Sequence, residues 1–509
     1  MQRARAAAAA RLGEAFLDWT AFRSAWAPGR MIPVSRELLA DTLTPVSAYL
    51  RIRGGARSAF LLESVEGGER VARWSFLGRD PYLVLRGRGR AVERVSSGGT
   101  ELVRKDFFAA LREETRRVTP VATGGLPPFS GGGVGFLAYD AVRLLEKIPD
   151  RHGGGDDSLG EFHFFGTVLA FDHVRHRIHV ITNVFVDGET GTPERAYRDA
   201  QRRLDEAQEL LTRETTAFPP LRRSGGAIEP AANFTPEGFC EAVAKGKEYI
   251  RGGDILQIVL SQRFRLPVTA DPFTVYRALR ARNPSPYLFF FETCDEDGDL
   301  AILGSSPETL VKVAQRRVHV RPIAGTRPRG ASEEEDRRLE AELLADEKEL
   351  AEHRMLVDLG RHDVGRVAKY GTVRCPEFMV VERYSHVMHI VSQVTGDLRD
   401  DCDALDALAA GFPAGTVTGA PKIRAMELID ALEPERRGPY AGAVGYLDFH
   451  GNLDTAIAIR TLVIRSGQAW VQAGAGIVAD SVPEREYQET VHKARALFGA
   501  IAHAEEGLA

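Results

Sequence analysis

At 509 residues, 44% hydrophobic and 27% charged, the chain has a globular composition and more length than one core usually fills. A formal net charge of −5 gives no electrostatic footprint for nucleic acid, and no apolar run approaches the length that crosses a bilayer. Four scattered cysteines, Cys240, Cys294, Cys375 and Cys402, form no CxxC; they support neither a zinc site nor a disulfide framework and fit a reducing cytoplasm.

The first residues, Met1-Gln-Arg-Ala-Arg and five alanines, are basic but too weakly apolar for a signal peptide, so residues 1–30 read as a frayed helical extension. Glu14–Trp26 is a helix candidate closed by Pro28-Gly29. From Met31 to Val95 short apolar runs alternate with Gly and Pro, and Ser58–Leu62, Trp74–Leu77 and Tyr82–Leu85 are expected antiparallel strands. Asp106–Arg117 reads as a helix, Gly124–Gly135 as a loop into Phe136–Tyr139, Phe162–Phe171 and Ile178–Val186 as strands, and Pro193–Arg213 as a helix. Thr215–Asn233, with paired prolines and Ser-Gly-Gly, is the best boundary, dividing 31–225 from 226–509.

The second segment opens with a helix from Thr235 to Arg251, then an alternating strand Ile255–Phe264. A helix over Asp271–Arg282 stops at Asn283-Pro-Ser-Pro286, and strands follow at Tyr287–Glu292, Leu300–Gly304, Leu310–Val313 and Val318–Ile323. A long charged helical run carries Asp346–Asp358, with Ser332 and Glu335 as a capping box. Strands at Phe378–Val381 and Val387–Val394, a helix at Lys422–Leu432, strands at Gly442–Phe449, Thr455–Ile464 and Ala469–Gly474, and a terminal helix complete the chain. Runs of strands interrupted by helices indicate an α+β protein with large antiparallel sheets and helices packed outside, not a doubly wound sheet.

Within the charged run Glu349 and Glu352 stand at i and i+3, so both carboxylates leave one helix face. Ser481-Val-Pro-Glu484 reads as a second capping box, after which Glu486, Glu489 and Lys493 share a face. Two acidic pairs on two helices suit a hard cation such as Mg²⁺; each pair alone also reads as a solvated charged face, with Lys348–Glu352 as an i,i+4 ion pair.

Glu308, in Ser305-Ser-Pro-Glu308, is placed at a strand-to-turn junction, where a closed pocket would make it a proton donor. Pro322-Ile-Ala-Gly-Thr326 ends a strand on a glycine turn. In the alternating run after Tyr384, His386 and His389 face opposite sides, which argues against a zinc pair and for one acid–base imidazole. Gly411–Lys422 leads into a helix and could hold an anion; Gly474-Ala475-Gly476 offers a second donor-rich turn. Arg460, in an apolar strand-like run, wants an anionic partner. Together these suit acid–base elimination on a small di-anionic substrate.

The motifs resemble the chorismate-utilising enzymes, and among them the anthranilate synthase component I branch, over about Ile32 to Ile501. The resemblance rests on Leu61-Leu-Glu-Ser64, Asp254–Ser261, Asn283–Tyr287, Ser305–Glu308, Pro322–Thr326, Glu349–Asp358, Glu382–His389, Pro413–Lys422 and Gly474–Lys493. It implies that 226–509 is the chorismate-binding catalytic segment, 31–225 the segment carrying a feedback site, and the reaction chorismate plus ammonia to anthranilate and pyruvate. Glu352 and Glu489 would then bind Mg²⁺ directly, with Glu349 and Glu486 acting directly or through water. Lys493 and Gly474, Ala475 and Gly476 would help hold the ring carboxylate, and Tyr440 and Arg460 the enolpyruvyl carboxylate. Glu308, supported by Thr326 in the Ala324-Gly325-Thr326 stretch, would protonate the leaving 4-hydroxyl, and His389 would serve pyruvate elimination.

Two positions separate the branch from its relatives. Gln257 stands where isochorismate and salicylate synthases place a lysine that activates water, and Ala324 where aminodeoxychorismate synthase typically carries a nucleophilic lysine. Neither present side chain can do that chemistry, which leaves direct amination. With no cysteine in a nucleophile turn, ammonia would come free or from a glutamine amidotransferase subunit in a hetero-oligomer. Leu62, Glu63, Ser64, Pro286, Tyr287, Val444 and Tyr446 match a tryptophan feedback pocket, although the same segments would also pack as core. His362 stands where the family usually has asparagine, after the acidic helix, where it would bear on that helix's termination. An aminodeoxychorismate synthase or a non-catalytic tryptophan-sensing relative are the alternatives.

Overall fold

The computed structural model describes residues 18–64, 73–153, 158–214, 230–295, 298–384 and 387–508. Most of the expected N-terminal extension, His386 and most of the expected boundary segment lie outside them. Two large sheets dominate, one of thirteen strands and one of twelve, and the pairing is antiparallel except for a short parallel bridge between Arg30–Leu39 and Thr119–Pro120. Each sheet is built from two contiguous blocks. Strands before residue 186 form one block and strands after 230 the other. The blocks join through Ser58–Glu63 against Tyr287–Asp295 in the first sheet, and through Gly132–Leu137 against Ala443–Asp448 in the second. Hydrogen bonding therefore runs across the 225/226 division in both sheets.

The helices form because caps and amphipathic patterns agree. Thr192 accepts the Arg195 N–H before Pro193–Thr212, Thr235 that of Gly238 before Pro236–Arg251, and Asp271 that of Thr274 before Pro272–Arg282. Their apolar faces cover the first sheet, where Phe273, Tyr276, Leu279, Leu497 and Ile501 share a core with Leu61 and Phe290. At about 25 cal/mol per Å² of apolar surface, burying such aromatic and aliphatic side chains is the main stabilising term.

Several expected elements are divided differently. The charged run is two helices, Glu333–Ala345 and Glu347–Gly365, because the Asp346 carboxylate leaves the first and accepts the N–H groups of Lys348 and Glu349 to start the second. The capping box at Ser332 is half formed: Ser332 accepts from Glu335, while the Glu335 carboxylate accepts from Ala331. The box at Ser481 does not form, since its hydroxyl accepts from Val478 instead. His362 lies in the last turn of the Glu347–Gly365 helix and does not end it. Gly132, Gly133 and Gly135, expected in a loop, belong to strand Gly132–Leu137; a Cβ on Gly135 would lie 1.8 Å from the Glu161 carbonyl oxygen.

The most consequential difference concerns long runs. Phe162–Phe171 breaks at Gly166 into Ser158–Phe165 of the second sheet and Thr167–Asp172 of the first. Thr455–Ile464 likewise breaks into Leu453–Ile457 and Thr461–Arg465, which lie in opposite sheets. Gly298–Ser306 and Thr309–Ala314 make the same switch. Strands that change sheets make corners, and corners free the backbone of regular pairing.

Candidate active site

Two of these corners lie side by side. Gly304 pairs with Thr461 in the first sheet and Thr309 with Ala456 in the second, so 305–308 and 457–460 turn together. The turns are tied by Ser305 N–H donating to the Arg460 carbonyl at 3.1 Å and Ile457 N–H donating to the Glu308 carbonyl at 3.0 Å. Glu308 and Arg460 are the residues at those corners. Arg460 is thus not in a strand, as its apolar run suggested. It takes a left-handed backbone, φ 51°, which costs an L residue on the order of 1 kcal/mol.

Glu308 is 8% exposed. Burial pushes its carboxyl up to about 8, with no basic partner to offset it. The expected support from Thr326 is absent: Thr326 faces His389, and the side chain acting on Glu308 is Thr416, whose buried hydroxyl pulls the other way without closing a hydrogen bond of ordinary length. Sequence reading missed Thr416, although it sits inside the quoted Gly411–Lys422 stretch. The Arg460 guanidinium is depressed by burial, with no acid near enough to compensate.

His389 lies on Val387–Asp397. Its neighbour Ile323–Pro328 is a strand, not a turn, with a bulge between Ala324 and Thr326 at Gly325, φ 71°. The bulge brings Thr326 opposite His389, whose Nδ1 lies 3.0 Å from the Thr326 hydroxyl and 3.2 Å from the Gly325 carbonyl oxygen. A carbonyl only accepts, so Nδ1 carries the hydrogen and Nε2 keeps its lone pair. Burial lowers the imidazole pKa, and the Arg460 charge lowers it further, so the ring is neutral. Gly325 also admits the acidic helix: a Cβ there would be 3.3 Å from a Glu349 carboxylate oxygen.

Glu352 turns to Gln257 rather than to Lys348, accepting from its Nε2 at 3.0 Å. Gln257 in turn lies where a Cβ on Gly476 would come within 3.0 Å of it. Gly474, Ala475 and Gly476 belong to strand Gln468–Ile477 instead of forming a turn. Ala475 points into the core with Ile258 and Ile477, while the place a Gly474 Cβ would fill lies 2.7 Å from the Tyr440 hydroxyl. Lys493 donates to the Gly474 carbonyl at 3.0 Å and pairs with Glu489 at 2.7 Å. Arg460, Glu489 and Lys493 share the wall of a cavity of about 730 Å³.

Burial raises the Glu349 pKa and the Glu352 charge raises it further; Glu486 is raised by burial and by Glu489, against the pull of Lys348. Each helix thus holds two mutually repelling carboxylates, and the Lys348 charge of the first helix is felt at Glu486 of the second. Carboxylate oxygen from both sides suits a hard cation that keeps water or substrate as further ligands. Among the described residues no three His, Cys, Asp or Glu side chains converge on one point.

The expected tryptophan residues divide. Leu62, Val444 and Tyr446 join one apolar cluster between the sheets, and the buried Ser64 hydroxyl has no partner among the described residues. Tyr287 donates to Asp454 at 2.9 Å, and Pro286 precedes it in the chain. The Glu63 carboxylate faces the other way, accepting from the Tyr276 hydroxyl at 2.6 Å and from Arg280.

A model of chorismate binding enzymes matches residues 58–499. The anthranilate synthase component 1 of Acetivibrio thermocellus is 47% identical over 94% of this chain and 96% of its own, and that of Pseudomonas aeruginosa is 49% identical over the same shares. The crystal structure of anthranilate synthase component I from Streptococcus pneumoniae superposes with a TM-score of 0.74 at 38% identity, covering 91% of this chain and 99% of that one. The menaquinone-specific isochorismate synthase of Escherichia coli shares the fold at 18% identity and a TM-score of 0.69, over 93% and 95% of the two chains. The chain belongs to the chorismate-binding enzyme family, and within it to the anthranilate synthase component 1 group.

Proposed function

We propose that the chain converts chorismate and ammonia to anthranilate, pyruvate and water, the first committed step toward tryptophan. The observation that carries this is Glu308: a buried carboxyl that keeps its proton to about pH 8, at a corner beside an uncompensated arginine. A protonated acid in a dry site is what departure of a hydroxide equivalent requires. Glu308 gives its proton to the 4-hydroxyl, which leaves as water while ammonia bonds to C2. The His389 Nε2 lone pair then takes the C2 proton, the ring becomes aromatic, and the ether bond to the side chain breaks, releasing enolpyruvate as pyruvate.

Arg460 and Tyr440 hold the enolpyruvyl carboxylate, and Lys493 with the Gly474–Gly476 backbone holds the ring carboxylate. Glu349, Glu352, Glu486 and Glu489 would hold Mg²⁺, which when bound supplies positive charge for the ring carboxylate. The absence of a lysine at 257 and 324 favours direct amination over hydration or a covalent route. Ammonia would come from a glutamine amidotransferase subunit, as the component 1 designation of the relatives suggests. The Leu62, Ser64, Val444 and Tyr446 wall, with Pro286 and Tyr287, would take tryptophan as feedback inhibitor.

The deciding experiment mixes the purified chain with chorismate, ammonium and Mg²⁺ and follows anthranilate fluorescence with and without EDTA. EDTA-sensitive fluorescence is the expected result. Chorismate consumed without fluorescence would assign the chain to a sister synthase, and untouched chorismate would favour a non-catalytic relative.

A further inference from the structure

Behind Tyr440 lies a buried charge already matched by the protein. Arg437 is 2% exposed and Glu433 4%. The guanidinium donates to Glu433 from Nε at 2.9 Å and Nη2 at 2.6 Å, to the Val417 carbonyl from Nη1 at 2.7 Å, and to the Val259 carbonyl from Nη2 at 2.8 Å. Its carbon sits 5.6 Å from the centre of the Tyr440 ring and 4.7 Å from that of Tyr139. Glu433 is itself anchored, accepting from the Ser261 N–H and hydroxyl at 2.8 and 2.9 Å.

A buried ion pair is a weak source of stability, because desolvation offsets most of its attraction. Its position is the informative part. The three walls that Arg437 ties together all border the site. Val259 pairs with Gly476, Val417 follows the Thr416 that faces Glu308, and Tyr440 presents its hydroxyl toward Gly474. A planar fork with several fixed donors can hold three walls at once, and a lysine cannot.

We propose that Arg437 is a positioning residue, one that fixes the Tyr440 ring and through it the grip on the substrate's side-chain carboxylate. This rests on the reading of Tyr440 as a substrate contact. The test is a double-mutant cycle on chorismate turnover with Arg437→Lys, Tyr440→Phe and both together, each checked for a cooperative melt. Arg437→Lys is expected to raise KM for chorismate about tenfold with little change in kcat, and the double variant to be no worse than Tyr440→Phe alone. Additive effects would overturn the proposal and leave Arg437 a structural residue. An unchanged KM in Tyr440→Phe would instead remove the Tyr440 assignment, and the role of Arg437 with it. If the lysine variant does not fold, Arg437→Gln with Glu433→Gln removes both buried charges together and completes the same cycle.

Discussion

Two polar clusters occupy the space between the sheets, and they are opposites. In the first, Ser58, His163 and Glu161 line up like a hydrolase triad: Ser58 lies 2.7 Å from His163 Nδ1, and Nε2 faces Glu161 at 2.5 Å. Arg86 adds an ion pair to Glu161 at 3.1 Å. All three members of the array are at most 3% exposed, and each is hydrogen-bonded to the next. In the second, Glu308 is buried and Arg460 and Thr416 are half-buried, yet among the described residues the acid has no cation, the cation has no acid and the hydroxyl has no acceptor. A satisfied cluster fixes two sheets against each other; an unsatisfied one stores an appetite for ligand. The sequence singles out Glu308 and Arg460, whereas Ser58, His163 and Glu161 come together only in the fold.

The largest expected effect comes from removing a carboxylate between the two acidic helices. Glu489→Gln should lower Mg²⁺-dependent turnover by about three orders of magnitude, since a cation bound there contributes several kcal/mol to charge stabilisation. The melting temperature should hold, because Glu489 is half exposed and its pairing with Lys493 contributes little. Calorimetric titration with Mg²⁺ provides a readout independent of activity, and normal binding would sink the assignment.

Next comes Glu308→Gln, expected to cost about 10²- to 10³-fold in kcat, the usual range for a lost general acid. Its pH behaviour carries the sign. The folded value of about 8 lies well above the ordinary glutamate value of 4.5, so the acid form persists to near pH 8 and the acid-dependent limb of the rate profile falls above it. The folded state binds the extra proton between those values, so Glu308 lowers stability as pH rises through that window. The glutamine variant should lose both dependences. His389→Met should let the aminated intermediate accumulate while anthranilate falls; formation of anthranilate at the parent rate would remove the base assignment.

The triad-like cluster should respond in the other currency. Glu161→Gln is expected to cost roughly 1–3 kcal/mol of stability with kcat unchanged, because it weakens a matched buried network. Burial pushes the Glu161 carboxyl up, but His163 and Arg86 outweigh it and hold the net value below the usual range. That depressed value stabilises the fold above the unfolded carboxylate pKa, and the contribution is lost as pH falls through the folded one. Urea melts at neutral and acid pH test this; a loss of kcat instead would dissolve the distinction between the clusters.

Much of this was legible in the sequence, for reasons that are local. The starts at Pro193 and Pro236 follow from their threonine caps, and helix Lys422–Leu432 from the apolar pattern after a Gly/Pro turn. The acidic pairs at Glu349/Glu352 and Glu486/Glu489 follow from i,i+3 spacing. What stayed hidden was long-range. An apolar run such as Thr455–Ile464 looks like one strand because apolar residues serve either sheet equally well, and nothing in it marks Arg460 as a corner. The partner of Glu308 was misassigned for the same reason: Thr326 and Thr416 are equally plausible in one dimension, and the bulge at Gly325 sends Thr326 to His389. Arg437 looked like one basic residue among many until its four acceptors were in place.

The smallest effect concerns a third unmatched group, the buried Ser64 hydroxyl beside the wall of Leu62, Val444 and Tyr446. If tryptophan binds there, its amino or carboxylate group gives Ser64 a partner that it lacks among the described residues. Ser64→Ala should then raise the tryptophan concentration for half-inhibition by about five- to tenfold, the worth of one such hydrogen bond, without altering uninhibited kcat. The anthranilate assay with graded tryptophan measures it directly. An unchanged inhibition curve would place the inhibitor elsewhere, and would reduce the Ser64 hydroxyl to a packing cost in a region whose Glu63 is already committed to Tyr276 and Arg280.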